Sequence, residues 1–166
     1  MIKNRFKTGF TLIELLVVIA IIGLLASIVL VSVNSVRKKA RTTKRISDLK
    51  NLSLALELYY DNNNNTYPSS LGGAGVWDGL YSSWGDSTPD WIAGLAPTYV
   101  SVLPRDPRNH TNGSQQYIYR SDGNNYKLIS HSPEDCAGVK AKYPNLIDPA
   151  RDCWAYGYWS SGAVGY

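Results

Sequence analysis

Two groups in this sequence have the type and spacing to do chemistry: a carboxylate inside an apolar run, and a late pair of thiols. Glu14 is the only charged residue between Phe10 and Val33. A charged side chain costs roughly 2.5–3.5 kcal/mol at the middle of a bilayer and less near its edge, so Glu14 is either tolerated at the headgroups or matched by an opposite charge. Cys136 and Cys153 sit in no CxxC or Cys/His cluster, which excludes zinc and dithiol redox motifs. One reading is a disulfide closing a loop of about 17 residues, worth roughly 3 kcal/mol and requiring an oxidising compartment. The other is two unrelated thiols in a reducing one. His110 and His131 are the only histidines, and neither lies in an HExxH or nucleophile-elbow motif. Ser130, His131 and Ser132 are adjacent, and neighbours in a strand point to opposite faces, so they form no triad. No catalytic residue is assigned, no metal ligand set is recognised, and the chain is not expected to be an enzyme.

The elements that must position Glu14 follow from the apolar run. Phe10 to Val33 spans 24 residues, about 36 Å as a helix, which is enough to cross a bilayer. A cleavable secretory signal has a shorter apolar core, about 7–15 residues. Lys3, Arg5 and Lys7 precede the run; seven Lys or Arg lie between Arg37 and Lys50, and from Asn51 onward seven Lys or Arg face eleven Asp or Glu. The positive charge is therefore local, and nucleic-acid binding is not indicated for the rest of the surface. Arg37 to Arg45 reads as a solvated helix face or a contact with anionic lipid headgroups. Beyond Val33, Ile46, Leu49, Leu52, Leu56, Tyr59 and Tyr60 recur at helical spacing and predict a stripe packed on a head, ended by Asp61 to Asn65.

The segment Lys7-Thr8-Gly9-Phe10-Thr11-Leu12-Ile13-Glu14-Leu15-Leu16-Val17 and the apolar residues after it closely resemble the type IV prepilin and type II secretion pseudopilin signature. The resemblance covers about the first third of the chain. It implies a membrane prepilin peptidase that cuts between Gly9 and Phe10 on the cytoplasmic side and N-methylates Phe10. It also implies an assembly role for Glu14, paired with the Phe10 ammonium of a neighbouring copy. A glycine before the cut lets a protease approach the backbone, and an unpaired buried charge disfavours a copy added out of register. Pilins often carry a proline in the distal anchor; Val31 stands at that place, and Gly23, Ser27 and Ser32 still allow close helix packing.

The expected fold class is α+β: a long N-terminal helix packed on a small antiparallel β-sheet head. The expected organisation is a leader over 1–9, a transmembrane and filament-core helix over 10–33, its amphipathic continuation over 34–61, and a head over 62–166. Within the head, a Gly/Ser-rich loop runs to Pro97 with one helical turn near Trp91 to Leu95. A hairpin joins Gln115–Arg120 to Asn125–His131 through Ser121-Asp122-Gly123-Asn124, and a last strand lies near Trp154 to Ser160. Tyr117, Tyr119 and Tyr126 are expected to brace it. The resemblance extends loosely here, and since some major pseudopilins hold calcium on loop carboxylates, it raises Glu134, Asp135, Asp148 and Asp152 as oxygen ligands. Solvated surface acids are the alternative.

The function implied is a structural subunit of a type IV pilus or type II secretion pseudopilus. Its partners are further copies in a homo-oligomeric filament, prepilin peptidase, the assembly machinery and the membrane. Its location is the inner membrane, single-pass, with the head outside the cytoplasm against a positive charge count that alone points the other way. The alternative is a surface adhesin or minor tip pilin that binds through Trp77, Trp84 and Trp91; buried loop anchors are the plainer reading of those tryptophans.

Overall fold

The computed structural model describes residues 9–81, 88–108, 111 and 113–166, without the side chains of 29–31. The leader charges Lys3, Arg5 and Lys7, together with Trp84 and His110, lie outside the described residues. Helix α1 runs from Leu12 to Asn62 without interruption. Its first half is rich in Val and Ile, which are middling helix formers in water. In lipid every backbone polar group must be satisfied within the segment, and there a helix is the available answer. Among the described residues this is the one helix long and apolar enough to cross a membrane, and that window is wholly unburied by its own chain.

Residues 38–166 form the head unit. The second half of α1 ends where the asparagines begin: Asn64 and Asn65 adopt left-handed backbone, and the Asn65 amide donates to the Tyr60 carbonyl at 3.1 Å. That bond closes a Schellman-type cap, and Asn tolerates the left-handed region better than most residues. The Asn62 and Asn63 side chains each donate at 2.8 Å to carbonyls one turn back.

The sheet comprises β1 (Asp78–Gly79), β2 (Tyr117–Ser121), β3 (Tyr126–His131), β4 (Ile147–Asp148) and β5 (Asp152–Trp159), all antiparallel in the order β1-β2-β3-β5-β4. The α+β fold expected from the sequence is the one found. In the β2–β3 turn the Asp122 carboxylate accepts from the Asn124 and Asn125 amides, and Gly123 takes a positive φ of 90°. Gly157 in β5 has no room for a side chain, because a Cβ there would strike the Leu128 carbonyl. Strand alternation splits the sheet into two faces. Tyr117, Tyr119, Tyr126 and Leu128 bury against Leu49, Leu52 and Leu56 of α1, while Ile118, Ile129 and Ala155 form a second cluster under Trp77. Tyr119 donates to the Pro68 carbonyl at 2.7 Å and Tyr117 to Asp48 at 3.0 Å.

Two expectations change. Trp91 to Leu95 forms turns rather than a helical turn, with Trp91, Ile92 and Leu95 all buried; Gly94, at φ 71°, stands in the middle of it. Between β3 and β4 the chain adds a short helix, α2 (Cys136–Lys142), that periodicity over seven residues is too short to announce.

Candidate processing and assembly site

Gly9 and Phe10 precede α1, and both are exposed. A Cβ built on Gly9 meets nothing within 4 Å among the described residues, so their packing does not require glycine there. Thr11 caps the helix. Its amide and its hydroxyl donate to Glu14 Oε2 at 2.8 Å and 2.6 Å, and the Glu14 amide donates back to Thr11 Oγ1 at 3.3 Å. This is a capping box, in which the cap residue and the third helical residue satisfy each other's orphan donors. Glu14 also lies in the first turn, where the helix dipole favours negative charge. Both bonds on the carboxylate fall on Oε2; among the described residues Oε1 accepts none. Sequence reading singled out Glu14 and passed over Thr11, although a Thr followed three residues later by Glu before an apolar run is the motif that announces such a box.

Elsewhere the structure gathers charges that sequence reading left apart. Arg45, 1% exposed, grips Asp106 with two hydrogen bonds of 2.6 and 2.9 Å and reaches Glu134 at 3.1 Å. Arg41 grips the same glutamate at 2.6 and 2.8 Å. These bonds, Arg41's first and then Arg45's, hold the Glu134 carboxyl down to about 2 against an opposing burial effect. The reading of Arg37 to Arg45 as a solvated or lipid-facing surface is therefore corrected for Arg41 and Arg45, which are internal ties between α1 and the loops of the head. Lys39 and Lys44 are exposed.

Asp148 is fully buried and held by Lys127 at 2.8 Å, by Arg151 at 2.7 Å and by the Ala150 amide at 3.0 Å. The Lys127 ammonium also donates to the main-chain oxygens of Val164 at 2.8 Å and Tyr166 at 3.1 Å. Asp135 faces Lys38 and Asp152 faces Lys140. Each acid considered for calcium is thus neutralised by a side-chain cation, and among the described residues no three of His, Cys, Asp or Glu are grouped to hold a metal. As grouped here, the described residues do not fit the ion.

Cys136 opens α2 and Cys153 lies in β5, both as free thiols. The Cys136 thiol is pushed up to about 12, by burial first and then by its hydrogen bond with Cys153. The fold has therefore brought together the two cysteines that the sequence separates. Trp91 is a core residue, 1% exposed, and Trp77 is half-buried beneath Arg151 and Arg120. With Trp91 inside the core, the tryptophans do not form one exposed platform.

Residues 4–30 match the prokaryotic N-terminal methylation motif. The type II secretion system core protein G of Klebsiella pneumoniae is 43% identical over 158 residues, 94% of this chain and 96% of that protein. The protein of the same name from Aeromonas hydrophila is 35% identical over 105 residues, 63% of this chain and 70% of its own. The type IV wide pilus major component of Thermus thermophilus is 31% identical over 136 residues, 80% of this chain and 98% of its own. No solved structure matches. A methylation motif at the start of an exposed apolar helix, with relatives aligned along nearly the whole length, means that the chain belongs to the family of type IV prepilins and type II secretion pseudopilins.

Proposed function

We propose that this chain is a structural filament subunit of a type IV pilus or type II secretion pseudopilus, anchored in the inner membrane by α1 and carrying its head outside the cytoplasm. Prepilin peptidase cuts between Gly9 and Phe10 and the new Phe10 amine is methylated. The observation that carries the reading is the capping box: it fixes the Glu14 carboxylate at the start of the apolar helix and leaves Oε1 open. The Phe10 ammonium of a neighbouring copy is the partner that this oxygen awaits.

Magnitudes separate anchoring from assembly. Thirteen large apolar side chains from Phe10 to Ile28 are exposed in the isolated chain, and burying them in lipid or among copies yields on the order of 20 kcal/mol. One carboxylate near the membrane edge costs roughly 3 kcal/mol at most. Glu14 therefore does not prevent insertion, and its effect falls on register, where a mismatched copy leaves two charges buried without partners.

Mass spectrometry of the purified N-terminus tests the reading: the expected first residue is N-methyl-Phe10, and a chain retaining Met1 overturns it. The same measurement without reductant tests the cysteines. Oxidation outside the cytoplasm to a Cys136–Cys153 disulfide lowers the mass by the two thiol hydrogens.

A further inference from the structure

Between the second half of α1 and α2 the head carries an open groove of about 580 Å³. Ile46, Val139 and Tyr143 give it apolar walls, and Lys39, Lys50 and Lys142 stand along it, all three lysines exposed. Among the described residues none of these lysines forms an ion pair, although Lys142 lies 5.1 Å from the Tyr143 ring. Thr42 also lines the groove; it is 8% exposed, and its hydroxyl has no hydrogen-bond partner among the described residues. The groove thus asks for an occupant that is apolar and acidic.

The same chain supplies one. Further along α1, Leu54 and Leu58 are each 54% exposed, and Asp61 is exposed beside them. Positions 54, 58 and 61 stand at i, i+4 and i+7, the spacing by which a helix presents anchors to a groove. Glu57 is exposed on the same ridge and also holds the Tyr67 and Tyr126 hydroxyls at 3.0 and 3.3 Å. We infer that the groove seats the Leu54–Asp61 ridge of a second copy, the two leucines covering Ile46, Val139 and Tyr143 while Glu57 and Asp61 meet the unpaired lysines. Groove and ridge are different surfaces, and anchoring in one membrane sets all copies parallel, so the contact is heterologous; a heterologous contact that does not close continues as an open filament. The inference rests on the filament reading and adds the head-to-head contact that reading does not specify.

The test uses assembled filaments of the unmodified chain, made from a mixture of isotopically light and heavy copies and treated with a zero-length carbodiimide cross-linker. Cross-linked peptides pairing Lys39, Lys50 or Lys142 of one isotope with Glu57 or Asp61 of the other are expected. Charge reversal should follow suit: Lys50→Glu with Lys142→Glu lowers filament yield at least tenfold, and adding Asp61→Lys raises it again. Filaments that form without such mixed-isotope cross-links, or that cross-link these lysines only to other acids, overturn the contact alone. Failure of the unmodified chain to form any filament overturns the filament reading and the contact with it.

Discussion

Ile19 and Leu49 belong to the same helix, yet the first is 60% exposed and the second 0%. Around Leu49 the chain supplies its own cover: tyrosines of β2 and β3, Trp91, and an internal ring of ion pairs. Around Ile19 the described residues supply none. The hydrophobic effect acts on both, so the cover for the first half must come from outside the chain, as lipid before assembly and as other copies after it. One half of α1 is written for the fold and the other for a partner. Charge follows the same division, because Arg45 finds Asp106 within the chain whereas Glu14, among the described residues, finds a capping threonine.

The widest separation of the two halves is expected from Glu14→Ala. Filament yield, measured by sedimentation of sheared filaments, should fall by tenfold or more, while the urea midpoint of the detergent-solubilised chain stays where it was. Unchanged filament yield would remove Glu14 from assembly. The reverse pattern is expected from Asp148→Ala, which strands the buried Lys127 ammonium and costs about 3–5 kcal/mol of head stability. Denaturant unfolding of the membrane-extracted chain reads that loss, and a cost below about 1 kcal/mol would mean that the Val164 and Tyr166 main-chain oxygens and water replace the carboxylate's role.

Acid should sharpen the same contrast more gently. The Glu134 carboxyl lies at about 2 in the folded chain against 4.5 when unconstrained. Its folded value is the lower one, so its stabilisation is complete above about pH 4.5 and is lost as pH falls towards about 2. The effect on the head is on the order of 2 kcal/mol, and Glu134→Gln should flatten the acid limb of the stability curve. An unaltered limb would show that Arg41 and Arg45 gain little from this carboxylate.

These contrasts also explain what the sequence made legible. The N-terminal half was readable as a helix behind a methylation motif because its constraints are local: an apolar run has one viable structure in lipid, and the motif is a short run of sequence, matched over residues 4–30. The stripe from Ile46 to Tyr60 and the Asp122-Gly123 turn were readable for the same reason, since period and turn chemistry are short-range signals. The ion network was not. Arg45 meets Asp106 and Glu134 across separations of 61 and 89 residues, and a basic cluster on paper does not say which of its members turn inward. Lys127 was hidden in another way: it alternates with Tyr126 and Leu128 as a solvent-facing residue should, but the second face of this sheet is covered too.

That second face gives the smallest predicted effect. Asp148 has two side-chain cations on it, and the Lys127 ammonium collects the carboxylate and two main-chain oxygens into one oxygen-lined, cation-centred site. A bound divalent ion would do the same work and would make stability depend on its concentration: at a hundredfold excess over Kd, a ligand specific for the folded state adds about 2.7 kcal/mol. For a chain of this size each kcal/mol moves Tm by about 2–4 °C. Here the cation is covalently part of β3 and its concentration is fixed. Thermal melting with excess calcium and then with excess EDTA should therefore differ by less than about 1 °C, within the shift that a fraction of a kcal/mol produces. A difference of several degrees would mean that a metal ion reaches carboxylates which Lys127, Arg151, Arg41 and Arg45 hold in this fold, and that the head, like the first half of α1, depends on something the chain does not carry.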